Sequence, residues 1–330
     1  MLNKKICFVI PYFGNFTPYF QLTLNSMGTN SDIDWLIFTD NRKEYCYPQN
    51  VKVNYMEFSE LQELVQSKFD FTISLKTPYK LCDYKPAYGY VFSEYLKGCD
   101  YWGYCDIDVI FGRIRKFLTP EILGGGYDKI FELGHMTLYR NTEENNKRFM
   151  LPIGGAQRYK AVFQDSNNQI FDEGNKDSVC TLWTQYSFSV WKEHYCADIA
   201  QKSCFFNTVD LDTKSYKYIV NKRRHQIFWW DNGRLILSYM DNDIYREEEK
   251  LYIHLIRRTK NMKVRLNPLA CTLYKIIPHE FDELDEKINA GNYKKIKWWT
   301  FNLHYFEIRY LNLKSKIRKR FVKNSINIKA

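Results

Sequence analysis

Cys99-Asp-Tyr-Trp-Gly-Tyr-Cys105, then Asp106-Ile107-Asp108, then Val109-Ile-Phe-Gly112, is the stretch on which the reading of this chain turns. Its first part reads as a short buried strand, and Asp106 and Asp108 leave the end of it. Two carboxylates at i and i+2 of an extended segment project the same way, because side chains alternate along a strand. Hard oxygen donors side by side suit Mg²⁺ or Mn²⁺, and such a site completes its shell with water and substrate phosphates. The ordinary alternative is a solvated turn carrying two acids. An exposed turn, however, has no need of an aromatic strand before it and an apolar one after it.

Upstream, residues 5–10 read as a buried parallel strand that runs into the loop Pro11-Tyr-Phe-Gly14. A helix is expected over Tyr19–Met27, a strand over Trp35–Phe38 closing on Thr39-Asp40-Asn41, and a third strand over Val51–Tyr55. Helices from about Ser59 to Phe69, with Ser59 as N-cap, and over Tyr84–Leu96 lead to the aspartate strand. This alternation predicts an α/β fold, a mostly parallel sheet with helices on both faces. Ligands of such sheets bind outside the carboxyl ends of the strands. The loops 11–14, 39–41 and 106–108 all lie at such ends, so they are expected to line one crevice.

Gly124-Gly-Gly126 breaks the chain before the apolar blocks Lys129–Leu133 and Met136–Tyr139. Residues 141–163 read as helical, then irregular to about 177, with another helix near Ser178–Lys192. Short strands follow over Cys204–Val209, Gln226–Trp230, Arg234–Tyr239, Leu251–Ile256 and Leu273–Ile277. Asp231-Asn232-Gly233 between two of them is a hairpin signal. There is no internal repeat and no low-complexity linker. The chain therefore reads as one domain over 1–277, with halves of about 1–125 and 126–277, and a helical basic extension over 278–330.

Charge separates the same two parts. The formal net charge is +10, yet after Glu307 there is no acid and eight basic residues, which leaves 40 basic against 38 acidic residues in the rest. A near-neutral body disfavours a broad nucleic-acid-binding face, and the tail favours one local electrostatic contact. In the tail, Tyr310, Leu313, Ile317 and Phe321 fall at i, i+3, i+7 and i+11 among Lys and Arg. That is the pattern of a helix lying on an anionic membrane surface, where each nearby basic residue is attracted by about 1 kcal/mol; the plainer alternative is a solvated terminus. Nine cysteines without a C-x-x-C pair point to a reducing compartment rather than a disulfide framework or a zinc site. The apolar run Ile6–Ile10 is too short for a signal peptide, and no run approaches the roughly 18 residues of a membrane span. The expected location is cytoplasmic, peripheral on the inner face of the cell membrane.

Seven short segments in order resemble a GT-A fold glycosyltransferase. They are Ile10-Pro-Tyr-Phe-Gly14, Leu36-Ile-Phe-Thr-Asp40, Cys82-Asp-Tyr-Lys-Pro86, Trp102-Gly-Tyr-Cys-Asp-Ile-Asp108, Gly134-His-Met-Thr-Leu-Tyr-Arg-Asn141, Phe171-Asp-Glu173 and Tyr252-Ile-His254. More narrowly, the set resembles bacterial enzymes of capsule and O-antigen loci, some of which transfer galactofuranose. The resemblance implies a Rossmann-like nucleotide-sugar half, a mixed acceptor half, a UDP-sugar donor such as UDP-galactofuranose, and a glycan acceptor, lipid-linked in surface polysaccharide synthesis.

Each segment offers a chemistry. Pro11, Tyr12 and Phe13 could set an aromatic ring against the base or simply pack the loop. Asp40 could accept from uracil or ribose, or cap a turn. Lys85 could neutralise pyrophosphate charge, and Asp83 could bind the donor, hold Lys85 or cap the following helix. Asp106 and Asp108 would bind a cation bridging the two phosphates. The resemblance adds His254 as a third ligand or phosphate contact, although a lone His in a strand is more often a satisfied core residue. His135 could touch the sugar or acceptor, or brace the sheet. An inverting transfer needs a carboxylate to take the acceptor proton; Asp172 and Glu173 are the candidates, and the resemblance favours Asp172.

The expected function is thus a metal-dependent, inverting glycosyltransferase. A sugar nucleotidyltransferase also pairs acids on a metal, but no Gly-rich loop bearing Lys or Arg follows the first strand to hold a triphosphate. A nucleic-acid binder acting through the tail is the third class, and it would show a steep salt dependence.

Overall fold

Two apolar strands buried on both faces organise the molecule. In the computed structural model, which describes residues 4–174, 176–199, 205–212, 217–221, 223, 225–256, 262–296, 303, 305–314 and 317, they are β1 (Ile6–Pro11) and β2 (Ile33–Thr39). With β3 (Val51–Tyr55), β4 (Tyr101–Cys105), β6 (Lys129–Ile130), β7 (Met136–Arg140) and β8 (Val190–Trp191) they form a seven-stranded sheet in the order β3-β2-β1-β4-β7-β6-β8. Strands β1 to β4 are parallel, and β7 runs antiparallel to β4. Continuous apolar strands are what a parallel sheet covered on both faces requires.

Period-two alternation divides each strand between two cores. Cys7, Val9, Leu36, Phe38, Trp102 and Tyr104 pack on one face with Tyr84, Tyr88 and Phe163. Ile6, Phe8, Ile10, Trp35, Ile37 and Cys105 pack on the other with α1 (Phe20–Gly28). A second helix, α2 (Phe58–Gln66), closes its first turn with a capping box between Glu57 and Glu60. The expected Ser59 cap is therefore replaced by Glu57, two residues earlier.

A five-stranded sheet crosses the end of β4. It contains β5 (Val109–Phe111), β9 (Ala197–Ile199), β10 (Thr208–Asp212), β11 (Lys217–Asn221) and β15 (Tyr252–His254), ordered β11-β10-β9-β15-β5. The third sheet is antiparallel but for one pair: β12 (Ile227–Asp231), β13 (Arg234–Asp241), β14 (Ile244–Lys250), β16 (Lys263–Arg265), β17 (Leu273–Ile277) and β18 (Glu280–Glu283). The fold is therefore α/β, a Rossmann-like parallel half followed by a mixed half. The turn at Asn232 and Gly233 has φ of 44° and 94°, as a tight hairpin requires.

Several expected elements differ in kind. Residues 84–96 are not one α-helix: a 3₁₀ stretch over Pro78–Ala87 passes to one α turn (Tyr88–Val91) and a further 3₁₀ turn (Ser93–Leu96). Pro86 has no N–H to continue an i to i−4 ladder. The helix over 141–163 is split by Gly154 and Gly155, both with positive φ, and resumes at Arg158–Gln164. The helix from Ser178 stops at Gln185, Ser187 takes a φ of 53°, and Val190–Trp191 joins the main sheet instead. Strand β14 escapes a periodicity reading because it carries Glu247, Glu248, Glu249 and Lys250. It is held by its ladder with β13 and by Arg113 and Lys116 on Glu249, at 2.8 and 2.7 Å.

Pairing of β17 with β18 carries the third sheet to Glu283, past the 277 end read for the domain. Residues 305–314 are helical, and Tyr310, Leu313 and Ile317 are 62%, 57% and 45% exposed. Phe321 and the basic residues Lys316, Arg318, Lys319, Arg320, Lys323 and Lys329 lie outside the described residues. Among the described residues no helix is long and apolar enough to cross a membrane.

Candidate active site

Where β4 ends, the seven-stranded and five-stranded sheets meet around a cavity of about 820 Å³. Pro11, Tyr12, Phe13, Lys85, Asp106, Asp108, His135, Asp172, Glu173, Asp198 and His254 all contribute to its wall. The Asp106 amide donates to the His135 carbonyl at 3.0 Å, which prolongs the ladder one residue past β4. The chain then bends through Ile107 and Asp108 into β5, so the two carboxylates converge. Strand β15 pairs with β5, and the Leu255 amide donates to the Asp108 carbonyl at 2.9 Å. That contact lays His254 across the acidic pair.

His254 Nε2 lies 3.5 Å from Asp106 Oδ2 and 3.5 Å from Asp108 Oδ1. One ligand atom from each of the three residues falls within 4.8 Å of the others. The set is a hard carboxylate pair with one imidazole, a donor combination that suits Mn²⁺ and accepts Mg²⁺. Burial alone would drive the His254 proton off. The carboxylates of Asp108, Asp198 and Asp106 outweigh it and push its pKa up to about 10. Without a cation, the imidazolium serves as counter-charge to the acids.

Lys85 stands on the other side of Asp106. Its Nζ donates to Asp106 Oδ1 at 2.6 Å and to the Gly134 carbonyl at 2.7 Å, and lies 3.4 Å from Asp172 Oδ2. Burial pulls the ammonium pKa down, but Asp106 and Asp172 hold it well above the ordinary lysine value. With Oδ1 of Asp106 on Lys85, Oδ2 remains for His254 and a cation. Burial pushes Asp172 up to about 7, against the opposing pull of Lys85. Glu173 is also raised by burial, and its Oε2 accepts from the Gly134 amide at 2.6 Å. Gly134 is required here: a Cβ on it would sit 2.7 Å from Asp172 Oδ2 and 3.1 Å from Glu173.

Two residues expected to touch a donor do something else. Asp83 is fully buried and absent from the cavity wall: Oδ2 takes the Lys80 ammonium at 2.7 Å and the Gln169 amide at 2.8 Å, and Oδ1 takes the Phe171 amide at 3.0 Å. It pairs with Lys80 rather than Lys85 and pins the segment that carries Asp172 and Glu173. Asp40 is likewise off the wall, and its Oδ1 accepts from the Gly14 amide at 2.7 Å, which ties the 11–14 loop to the end of β2. The turn reading applies to Asp40 and a clamp to Asp83, because backbone amides claim both carboxylates first.

The remaining residues are mixed. Phe13 packs edge-on against Phe58 with its ring buried, while Tyr12 stacks on Phe16 and is half-buried at the wall. His135 lines the cavity but is 5% exposed, with Nδ1 2.7 Å from the Tyr252 hydroxyl. Burial lowers its pKa well below the ordinary value. Asp231 pairs with Lys287 at 2.7 Å in the third sheet, and neither it nor Asp241 reaches the cavity. Arg257 and Arg258 lie outside the described residues.

Asp198 is the site residue the sequence reading missed. It sits on β9 beside His254 in the register, 7% exposed, with Oδ1 3.0 Å from His254 Nδ1. The only available signal was a charged residue between the apolar Ala197 and Ile199.

No curated protein matches the chain by sequence. Among solved structures it is similar to the galactosyltransferase LgtC in complex with donor and acceptor sugar analogs, at 12% identity over 58% of this chain and 75% of that one, with a TM-score of 0.34. It is also similar to mouse xyloside xylosyltransferase 1 in its apo form (9% identity, 60% and 88% covered, TM-score 0.36). A third is the apo glycosyltransferase GlyE of Streptococcus pneumoniae TIGR4 (11% identity, 59% and 46% covered, TM-score 0.30). A family model described as a family of unknown function, DUF6625, matches residues 8–285, and the chain belongs to that family.

Proposed function

We propose that the protein is a metal-dependent glycosyltransferase that moves a sugar from a UDP-sugar to a glycan acceptor. The observation that carries the reading is the convergence of Asp106, Asp108 and His254, with Lys85 beside them, on the wall of one cavity at the strand ends. Asp106, Asp108 and His254 would hold Mn²⁺ or Mg²⁺, which supplies Lewis-acid stabilisation of charge on a departing nucleoside diphosphate. Lys85 adds a fixed positive charge on the same side, buried where it acts at low dielectric. Tyr12 is the aromatic group we assign to the base, with Pro11 and Phe13 shaping its loop.

In an inverting transfer, Asp172 is the group we assign to take the acceptor proton, since a carboxyl titrating near neutrality is suited to that work. Glu173 is the weaker candidate, because the Gly134 amide already occupies one of its oxygens. A second reading keeps the activity and changes the stereochemistry. One ammonium, Lys85, bridges Asp106 and Asp172, so Asp172 lies on the metal side of the cavity rather than across from it. In that arrangement Asp172 and Lys85 grip donor-sugar hydroxyls, and the anomeric configuration is retained.

The acceptor we assign is a lipid-linked glycan of surface polysaccharide, and galactofuranose is the sugar that the sequence resemblance suggests. The exposed apolar stripe of the C-terminal helix and its basic flanks support docking on anionic lipid. The test is thermal-shift screening of UDP-sugars with and without Mn²⁺. Stabilisation by UDP only when the metal is present supports the reading, and stabilisation by nucleoside triphosphates alone would replace it.

A further inference from the structure

His254 reaches the acidic pair through Nε2, and a neutral imidazole offers a lone pair on one nitrogen only. Which nitrogen is available depends on what holds the other. Here the other is Nδ1, 3.0 Å from Asp198 Oδ1. An ionised carboxylate can only accept, so Nδ1 keeps its proton, and a cation that displaced the Nε2 proton would meet the Nε2 lone pair beside Asp106 and Asp108. Asp198 Oδ2 in turn faces His135 Nε2 at 4.0 Å, and His135 Nδ1 is 2.7 Å from the Tyr252 hydroxyl.

Asp198 itself is 7% exposed, and its side-chain partners among the described residues are these two imidazoles. A buried carboxylate is costly unless it is paired and hydrogen-bonded. His135 Nε2 has no hydrogen-bond partner among the described residues. If the Tyr252 hydroxyl donates to Nδ1, then Nε2 carries the remaining proton and points it at Asp198. One tautomer assignment is thus consistent along the row from Tyr252 through His135 and Asp198 to His254, with the 4.0 Å step from His135 Nε2 to Asp198 Oδ2 an electrostatic approach rather than a hydrogen bond. The backbone fixes the row as well, because His254 and Asp198 are register partners in β15 and β9.

We propose that Asp198 is a positioning residue for a divalent cation at Asp106, Asp108 and His254: it sets the tautomer and ring orientation of His254, with His135 and Tyr252 supporting it from behind. The proposal rests on the metal reading above and assigns roles to residues beyond the three ligands. Carboxylate partners of ligating histidines raise ligand basicity, and their loss typically weakens metal affinity 10–100-fold.

The experiment is titration of the full-length protein with Mn²⁺, read by the EPR signal of the free ion, for wild type, Asp198→Ala and Asp198→Asn. Unfolding midpoints are measured with and without Mn²⁺ in parallel. Asp198→Ala is expected to weaken Mn²⁺ binding about 10–100-fold and to shrink the metal-induced rise in midpoint. Asp198→Asn keeps an oxygen that can accept from Nδ1 and is expected to lose less; should the Ala variant fail to fold, the Asn variant decides. Unchanged Mn²⁺ affinity in the folded variants, with only a lower metal-free midpoint, overturns the proposal and leaves Asp198 a packing residue. Absence of Mn²⁺ binding in the wild type would instead bring down the metal reading itself.

Discussion

Lys80 and Asp83 form an ion pair at 2.7 Å with side chains 1% and 0% exposed, and this pair locks the segment that carries Asp172. The Lys80 ammonium also donates to the carbonyls of Val162 and Asn167 at 2.9 and 2.6 Å. Every polar atom of the pair is therefore committed to structure, at the foot of a wall whose upper part is the site.

Removing one member of such a pair leaves an uncompensated buried charge. Asp83→Ala is expected to destabilise the protein by about 3–5 kcal/mol, measured by denaturant unfolding. A loss under about 1 kcal/mol, the scale of an exposed pair, would mean that the site is less buried than described.

Asp108→Ala removes one carboxylate from the three-residue set without touching a core side chain. Metal-dependent UDP binding, followed calorimetrically with and without Mn²⁺, should disappear while the circular dichroism spectrum is kept. Near-normal turnover of this variant in EDTA would contradict a metal at this position.

Asp172→Asn should lower transfer by roughly two to four powers of ten, the scale of general base catalysis, with UDP affinity nearly unchanged. Burial lifts the Asp172 pKa to about 7, so below that pH the group holds a proton and cannot accept another. The rate should therefore fall as pH drops through about 7, and the Asn variant should lack this limb. NMR of the product assigns the role: an inverted anomer keeps Asp172 as base, and a retained one makes it a ligand of the donor sugar.

Gly134→Ala places a methyl group against both acids, where Asp172 Oδ2 would be 2.7 Å away. Overpacking of this kind costs about 1–3 kcal/mol. The expected outcome is a large loss of transfer with Mn²⁺ affinity unchanged, since Asp106, Asp108 and His254 are untouched. An active variant would show that the 172–173 segment can move aside.

Truncation after Glu307 removes all eight unopposed positive charges. Binding to anionic vesicles should fall sharply while activity on a soluble acceptor analogue persists. Equal vesicle binding by the shortened chain would dismiss the membrane contact.

Local rules determined much of this protein from sequence. Apolar runs bounded by loops marked β1 and β2 because a strand buried on both faces admits little else, alternation marked the half-exposed β3, and the spacing of Asp106 and Asp108 announced a pair of carboxylates side by side. What a one-dimensional reading could not decide was which polar groups would reach each other first. Asp83 and Asp40 looked as available as Asp106, yet backbone amides and Lys80 captured them. Asp198 carried no motif and became part of the site only because β9 lies beside β15. His254 and Lys85 flank Asp106 from positions more than 140 and about 20 residues away. A carboxylate's partner is set by distance in space and by burial, and both come into being only when the sheets pack.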